Sequence, residues 1–438
     1  MVIERSKYVE LLMQKRWNKK VKIVTGIRRC GKSFLLNTLF KQKLIEEGVA
    51  ESNIIELALD KKSHIKYRNP DMLYDYIIGK TQDQDSQYYV MIDEIQLSYK
   101  VRNKEIDEAS VPVEDRAMLY TTFYDVLNDL MSRPNIDIYV TGSNSKMLSK
   151  DIVTNFRDRG SEIKVMPLSF KEFVDYSGME KADALEQYMM YGGMPLAVVE
   201  ADEHEKANYL KGLFSNVYIK DIVERYKLKG DAVLSALVDA LSSSVGSLTN
   251  PHKLACTAAT LLDKTTSDST IKNYLDYLED AFLFNSAKRY DVKGRKYFNS
   301  IQKYYAVDLG LRNARLNFRQ QERSHLMENI LYNELIHRGY NVDVGVVEVA
   351  KVVDGTRRQS QYEIDFVVNT GNNKVYIQSA LNIDTKEKKE QETFSLHHTG
   401  DFFRKIVVLD GNQKMWTDDD GVEYIGVIPF LLEDCLRS

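Results

Sequence analysis

Thr25-Gly26-Ile27-Arg28-Arg29-Cys30-Gly31-Lys32-Ser33 stands between an apolar run, Val21-Lys22-Ile23-Val24, and Phe34-Leu35-Leu36-Asn37-Thr38-Leu39-Phe40, whose apolar residues recur at helical spacing. A strand, a glycine-bounded loop and a helix, with G-x-x-x-x-G-K-S across the loop, predict a phosphate loop in an α/β fold. The chemistry needs that spacing. Gly26 and Gly31 let the backbone turn tightly, so that successive N–H groups of Ile27, Arg28, Arg29, Cys30 and on to Phe34 can face a phosphate beside a helix N-terminus. Lys32 offers a point charge to the β- and γ-phosphates, and Ser33 a hydroxyl to Mg²⁺. The competing reading, an ordinary turn before an ordinary helix, does not account for the lysine and the serine. The chain is expected to bind a nucleoside triphosphate. ATP is preferred to GTP because no Asn-Lys-x-Asp guanine-reading motif is present.

Working outward, Asn53–Asp60 is expected to be a second strand, with a helix following near Asp71–Lys80. Tyr88-Tyr89-Val90-Met91-Ile92 then leads into Asp93-Glu94. An apolar strand ending in two acids, one βα unit after a phosphate loop, is the expected partner of that loop. Asp93 is the candidate for the Mg²⁺ shell, and Glu94 for orienting and deprotonating the attacking water. Leu97–Asp115, of mixed charge and with Pro112, reads as a surface insertion. A helix is predicted from Arg116 to Met131, then a strand at Ile136–Thr141 and a fifth at Glu162–Met166. The fourth strand runs into Gly142-Ser143-Asn144-Ser145. Thr141, Ser143 or Asn144 is therefore placed to sense a γ-phosphate; capping of a following helix explains any one of them equally well.

The 438 residues are enough for two to four domains. A content of 43% hydrophobic and 28% charged residues is that of a water-soluble chain, and the net charge of −4 leaves any nucleic-acid surface to local patches. Cys30, Cys256 and Cys435 are too far apart for a zinc or disulfide framework. Met1-Val2-Ile3-Glu4-Arg5 has no leader character, and no apolar run reaches membrane-spanning length, so a cytoplasmic protein without membrane contact is expected.

Five segments together resemble a prokaryotic family of AAA-type ATPases with a C-terminal domain of unknown function. They are the phosphate loop, Ile92-Asp93-Glu94-Ile95-Gln96, Thr141-Gly142-Ser143-Asn144-Ser145, Pro167-Leu168-Ser169-Phe170-Lys171-Glu172-Phe173 and Tyr191-Gly192-Gly193-Met194-Pro195. The resemblance covers essentially the whole chain. To the catalytic candidates Lys32, Glu94 and Asn144 it adds Arg159, which it places to stabilise γ-phosphate charge in cis or across a subunit interface; a surface ion pair is the alternative for Arg159. It also implies that Gly193 and Pro195 report the bound nucleotide from a lid.

On this basis residues 1–168 are expected to form the ATPase core and 169–230 a helical lid. Residues 231–318 show helix, helix, helix, hairpin, the plan of a winged helix. The hairpin carries Lys288, Arg289, Lys293, Arg295, Lys296 and Lys303 among Tyr290, Tyr297, Phe298, Tyr304 and Tyr305, which suits double-stranded DNA across 288–303. A charged interdomain module is the alternative. Residues 319–438 resemble the restriction-endonuclease-like fold, with Glu328 and Glu334 on the opening helix and Asp365 on a strand. Where active nucleases read Asp/Glu-x-Lys this chain has Gln378-Ser379-Ala380, so nuclease activity is not expected unless Lys386, Lys388 or Lys389 swings in. A scaffold for protein partners is expected instead. Three readings follow: an ATP-hydrolysing switch or motor, a DNA-binding regulator with ATP as slow-turnover ligand, and an ATP-controlled nuclease, the last opposed by Gln378 and Ala380.

Overall fold

The computed structural model describes residues 2–142, 160–228, 230, 232–262, 267–353, 356–371 and 373–437. The chain forms two compact units, Val2–Met166 and Pro167–Ser438.

In the first unit, helix Ser6–Gln14 precedes β1 (Val21–Thr25), and β2 (Ile54–Ala58), β3 (Tyr88–Asp93), β4 (Ile136–Thr141) and β5 (Gly160–Lys164) follow. All five are parallel, in the order β2-β3-β4-β1-β5. Strands buried on both faces need apolar runs rather than alternation, and β1, β3 and β4 are buried at every position. Ile23, Val90 and Ile138 share one core with Leu127 and Leu130 of helix Phe123–Met131. That helix starts at Phe123, not at Arg116. The stretch Val113–Leu119 is a 3₁₀ turn behind Pro112, and Thr122 and Asp125 form a capping box that fixes the true start. At the chain's entry, Arg5 donates to the Met166 carbonyl at 2.8 Å and Tyr8 Oη accepts from the Met166 N–H at 3.1 Å, so the first helix fastens the segment following β5.

In the second unit, helices Phe170–Ser177, Lys181–Tyr191, Pro195–Val199 and Glu203–Leu213 come first, and helices Ala232–Ser243, Pro251–Leu262 and Asp268–Asp280 follow. The strands are β6 (Leu248–Thr249), β7 (Phe284–Asp291), β8 (Lys296–Ala306), β9 (Asn341–Val353), β10 (Thr356–Asn369), β11 (Lys374–Ala380), β12 (Arg404–Leu409), β13 (Trp416–Thr417) and β14 (Glu423–Gly426). They form a single sheet in the order β13-β14-β12-β11-β10-β9-β7-β8-β6. The three-helix-and-hairpin plan is present, but the hairpin β7–β8 is not a free wing. Arg289, Tyr290 and Asp291 of β7 pair in parallel with Val344, Gly345 and Val346 of β9, making the hairpin part of the C-terminal sheet. Lys303, Tyr304 and Tyr305 are buried as a result, and Lys303 is withdrawn from the DNA-facing set.

Gly193 has a packing role that the sequence did not disclose. Its N–H donates to Asp308 Oδ2 at 2.7 Å, its carbonyl accepts from Leu168 N–H at 2.8 Å, and a side chain on it would meet the Leu168 carbonyl at 2.2 Å. Asp308 Oδ1 also accepts from Leu311 N–H at 2.9 Å, capping helix Leu309–Arg315. Burial pushes the Asp308 carboxyl up to about 6 despite these donors. A folded-state value above the unfolded one means that the folded chain holds this proton more tightly. Its contribution to stability is complete at low pH and declines as pH rises through about 6. Asp308→Ala strands at least two buried N–H groups at about 1–3 kcal/mol each. We expect a loss of about 2–6 kcal/mol, read as a lower urea midpoint below pH 6, and a smaller loss at neutral pH, where burial penalises the ionised carboxyl.

Candidate functional site

Parallel order puts the carboxyl ends of β1, β3 and β4 side by side, the position where α/β sheets bind ligands. The loop after β1 requires glycine at Gly26. Its φ is 140°, and a Cβ there would lie 2.1 Å from the Val165 carbonyl oxygen. Gly31, at φ 95°, turns the chain into the helix that begins at Lys32. Ile27 and Cys30 are buried, the Cys30 thiol 3.5 Å from the Val165 carbonyl, whereas Arg28, Arg29 and Phe34 are exposed. The loop is thus held by buried Ile27 and Cys30 and presents Arg28 and Arg29 outward.

Lys32 is 4% exposed, and its Nζ donates to the carbonyls of Gly26 at 3.0 Å and Ile27 at 2.9 Å. The ammonium therefore sits inside the loop it is expected to serve. Ser33 Oγ donates to Asp93 Oδ1 at 2.9 Å. This pair joins a hydroxyl and a carboxylate, both hard oxygen donors, and so fits a Mg²⁺ shell. Thr141, one strand over, donates to the same Asp93 oxygen and accepts from Glu94 N–H at 2.9 Å. Of the three residues proposed to sense a γ-phosphate, Thr141 is tied directly to the acid pair.

Glu94 leaves β3 in the left-handed region, at φ 54°, which swings its side chain out of the strand's alternation. Gln96 Nε2 donates to its Oε2. Burial raises the Glu94 pKa above the ordinary glutamate value and Asp93 adds to this, against Lys32, the Gln96 amide and Arg28. A carboxylate raised by burial, with the field of Lys32 and Arg28 acting against that rise, suits a general base. Gln96 was quoted in the sequence only as part of a matching segment. Its position two residues after Glu94, in a 3₁₀ turn, is the signal that could have singled it out.

Lys32, Ser33, Asp93 and Glu94 are brought together with the loop. Ser143, Asn144 and Arg159 lie outside the described residues. Gly193 and Pro195 belong to the second unit, where the Gly193 N–H is taken by Asp308 and Pro195 opens helix Pro195–Val199. In the same unit, Glu334 pairs with Arg338 at 2.7 Å and Lys389 with Asp418 at 2.8 Å, so neither joins Asp365.

A family model described as an AAA domain matches residues 18–174. An uncharacterized protein of Haemophilus influenzae is 33% identical over 437 residues, covering 99% of this chain and 99% of its own. The chain belongs to the AAA-type P-loop ATPase family. Two further models, each described as a domain of unknown function (DUF8612 and DUF4143), match residues 182–322 and 323–430 of the ATPase. Their boundary runs through one continuous sheet, since β7 and β8 fall in the first and β9 in the second. An uncharacterized protein of Methanocaldococcus jannaschii is 28% identical over 433 residues, covering 94% of this ATPase and 87% of its own chain. Among solved structures, AMPPCP-bound DnaA from Aquifex aeolicus is 13% identical and covers 62% of this ATPase and 86% of that chain. Its TM-score of 0.29 is too low to argue from. Among the described residues no helix is long and apolar enough to cross a membrane.

Proposed function

We propose that this ATPase is a cytoplasmic, Mg²⁺-dependent ATP-hydrolysing switch whose nucleotide state is read by the unit Pro167–Ser438. The observation that carries the reading is the convergence of Lys32, Ser33, Asp93, Thr141 and Glu94 at the carboxyl ends of three adjacent strands. Lys32 supplies charge to the β- and γ-phosphates. Ser33 and Asp93 would hold Mg²⁺, which neutralises charge on the triphosphate. Glu94, kept in place by Gln96 and by its N–H bond to Thr141, orients a water on the γ-phosphate and takes its proton. Arg159 and Asn144 are proposed to add γ-phosphate contacts, and Gly193 and Pro195 to follow the nucleotide through the lid. An oligomer is required only if Arg159 acts in trans.

DNA is the second reading for the partner, favoured by the exposed Lys288, Lys293, Arg295 and Lys296 around the hairpin turn. Two features weigh against it. Helix Asp268–Asp280, which would enter the major groove, carries Asp268, Asp276, Glu279 and Asp280 against Lys272 alone. Arg289 also lies over the Phe298 ring and donates to Gln361 within the sheet. A protein partner of the second unit fits these features better.

Steady-state ATP hydrolysis with and without double-stranded DNA, with Lys32→Ala as blank, tests both readings. The expected result is Mg²⁺-dependent turnover that DNA leaves unchanged. Stimulation by DNA that vanishes at high salt would assign the hairpin turn to phosphate contact instead. No turnover with or without DNA would remove the switch reading.

A further inference from the structure

The restriction-endonuclease-like reading implies a divalent metal on the acids of the C-terminal sheet, and the residues present do not fit one. Lys303, on β8, projects its ammonium among three carboxylates. Nζ is 2.8 Å from Glu328 Oε1, 2.5 Å from Glu363 Oε1 and 3.8 Å from Asp365 Oδ1. The lysine side chain is only 4% exposed, against 12%, 33% and 11% for its three acids. Tyr305 Oη donates to Glu328 Oε1 at 2.7 Å, and Ser379 N–H to Asp365 Oδ2 at 2.8 Å. Gln378, on the strand where a metal-binding acid is expected, turns its amide oxygen to the Asp365 N–H at 3.4 Å. Lone pairs that a metal would need are therefore spent on an ammonium, a phenol and a backbone amide.

We propose that Lys303 is the resident cation of this cluster, standing where a divalent metal would be held. The Glu328–Glu363–Asp365 set stays metal-free as long as the ammonium is present. Removing the ammonium turns the three carboxylates into a site for Mn²⁺ or Mg²⁺.

The charge count supports this assignment. Three carboxylates exceed one ammonium by two negative charges, and the Tyr305 hydroxyl and the Ser379 N–H donate into the excess. Lys303 Nζ stands at ion-pair distance from Glu328 and Glu363, so the cluster already holds a cation at its centre. Without Lys303, three carboxylates lie uncompensated in a mostly buried site. A divalent cation is the small ligand whose charge and oxygen preference match them. One ion cluster also ties three elements together, since Lys303 comes from the hairpin, Glu328 from helix Arg323–His337, and Glu363 and Asp365 from β10.

The test uses nucleotide-free full-length protein and thermal unfolding with Mn²⁺ or with EDTA. For Lys303→Met, shown folded by circular dichroism, Mn²⁺ is expected to raise the midpoint, with Mn²⁺ affinity at least about tenfold above wild type by titration calorimetry. Adding Asp365→Asn should abolish the gain. A folded Lys303→Met with no response to Mn²⁺ would overturn the proposal. The wild-type arm decides the matter even if Lys303→Met does not fold. Mn²⁺ in place of EDTA should shift wild type and Asp365→Asn equally, and a Mn²⁺-dependent rise in wild type that Asp365→Asn removes would show a metal resident beside the lysine.

Discussion

Lys32→Ala should weaken ATP binding by about 100-fold or more, equivalent to about 2.7 kcal/mol. The ammonium is almost fully buried and already held by the Gly26 and Ile27 carbonyls, so the loop positions a charge rather than recruiting one from solvent. Charge-assisted bonds to phosphate oxygens are about twice as strong as neutral ones. Removing the amine also leaves two loop carbonyls without their donor, which should loosen the loop. Titration with a fluorescent ATP analogue measures the effect, and circular dichroism confirms the fold. Lys32→Arg should recover little, because the longer, planar guanidinium does not fit between two carbonyls about 3 Å away. Wild-type affinity in Lys32→Ala would mean that the nucleotide is bound elsewhere.

Glu94→Gln should lower turnover by about 10²–10⁴-fold while ATP binding stays within a few-fold of wild type. The amide preserves the shape of the side chain and its contact with Gln96, and removes only the ability to accept a proton. Pre-steady-state binding and phosphate release, measured on one preparation, separate the two effects. The wild-type rate should also fall as pH drops through a value above the ordinary glutamate pKa. Burial raises that pKa, and only the ionised carboxylate accepts the water's proton. An acid limb at the ordinary glutamate value or below would contradict the burial argument, and a pH-independent Glu94→Gln with wild-type turnover would remove Glu94 from the chemistry.

The first unit was legible because its signals are local. Val21–Thr25 and Tyr88–Asp93 are apolar runs that only a doubly covered parallel sheet accommodates, and the loop chemistry is written in consecutive residues. Less local features were missed. Helix Phe123–Met131 begins where Thr122 and Asp125 cap it, seven residues after the periodicity first looks helical. Gln96 acts through a left-handed residue, which periodicity does not reveal. In the second unit the decisive contacts join residues far apart in sequence. Gly193 meets Asp308, and Lys303 meets Glu328 and Asp365, so a glycine resembling a nucleotide sensor also makes a packing contact, and a lysine resembling a DNA contact is an internal ion. Glu363 makes the shortest contact with that ion, yet nothing in the sequence singled it out beside Asp365.

Single-turnover hydrolysis of ATP preloaded on the wild-type chain, started with Mg²⁺ and compared with Glu94→Gln, tests the central claim most directly. The account predicts release of the γ-phosphate by wild type and none above background by Glu94→Gln, with both chains carrying equal ATP at the start. Intact ATP on wild type after Mg²⁺ addition would show that the nucleotide is a ligand and not a substrate, and would contradict the assignment of Glu94 as the base.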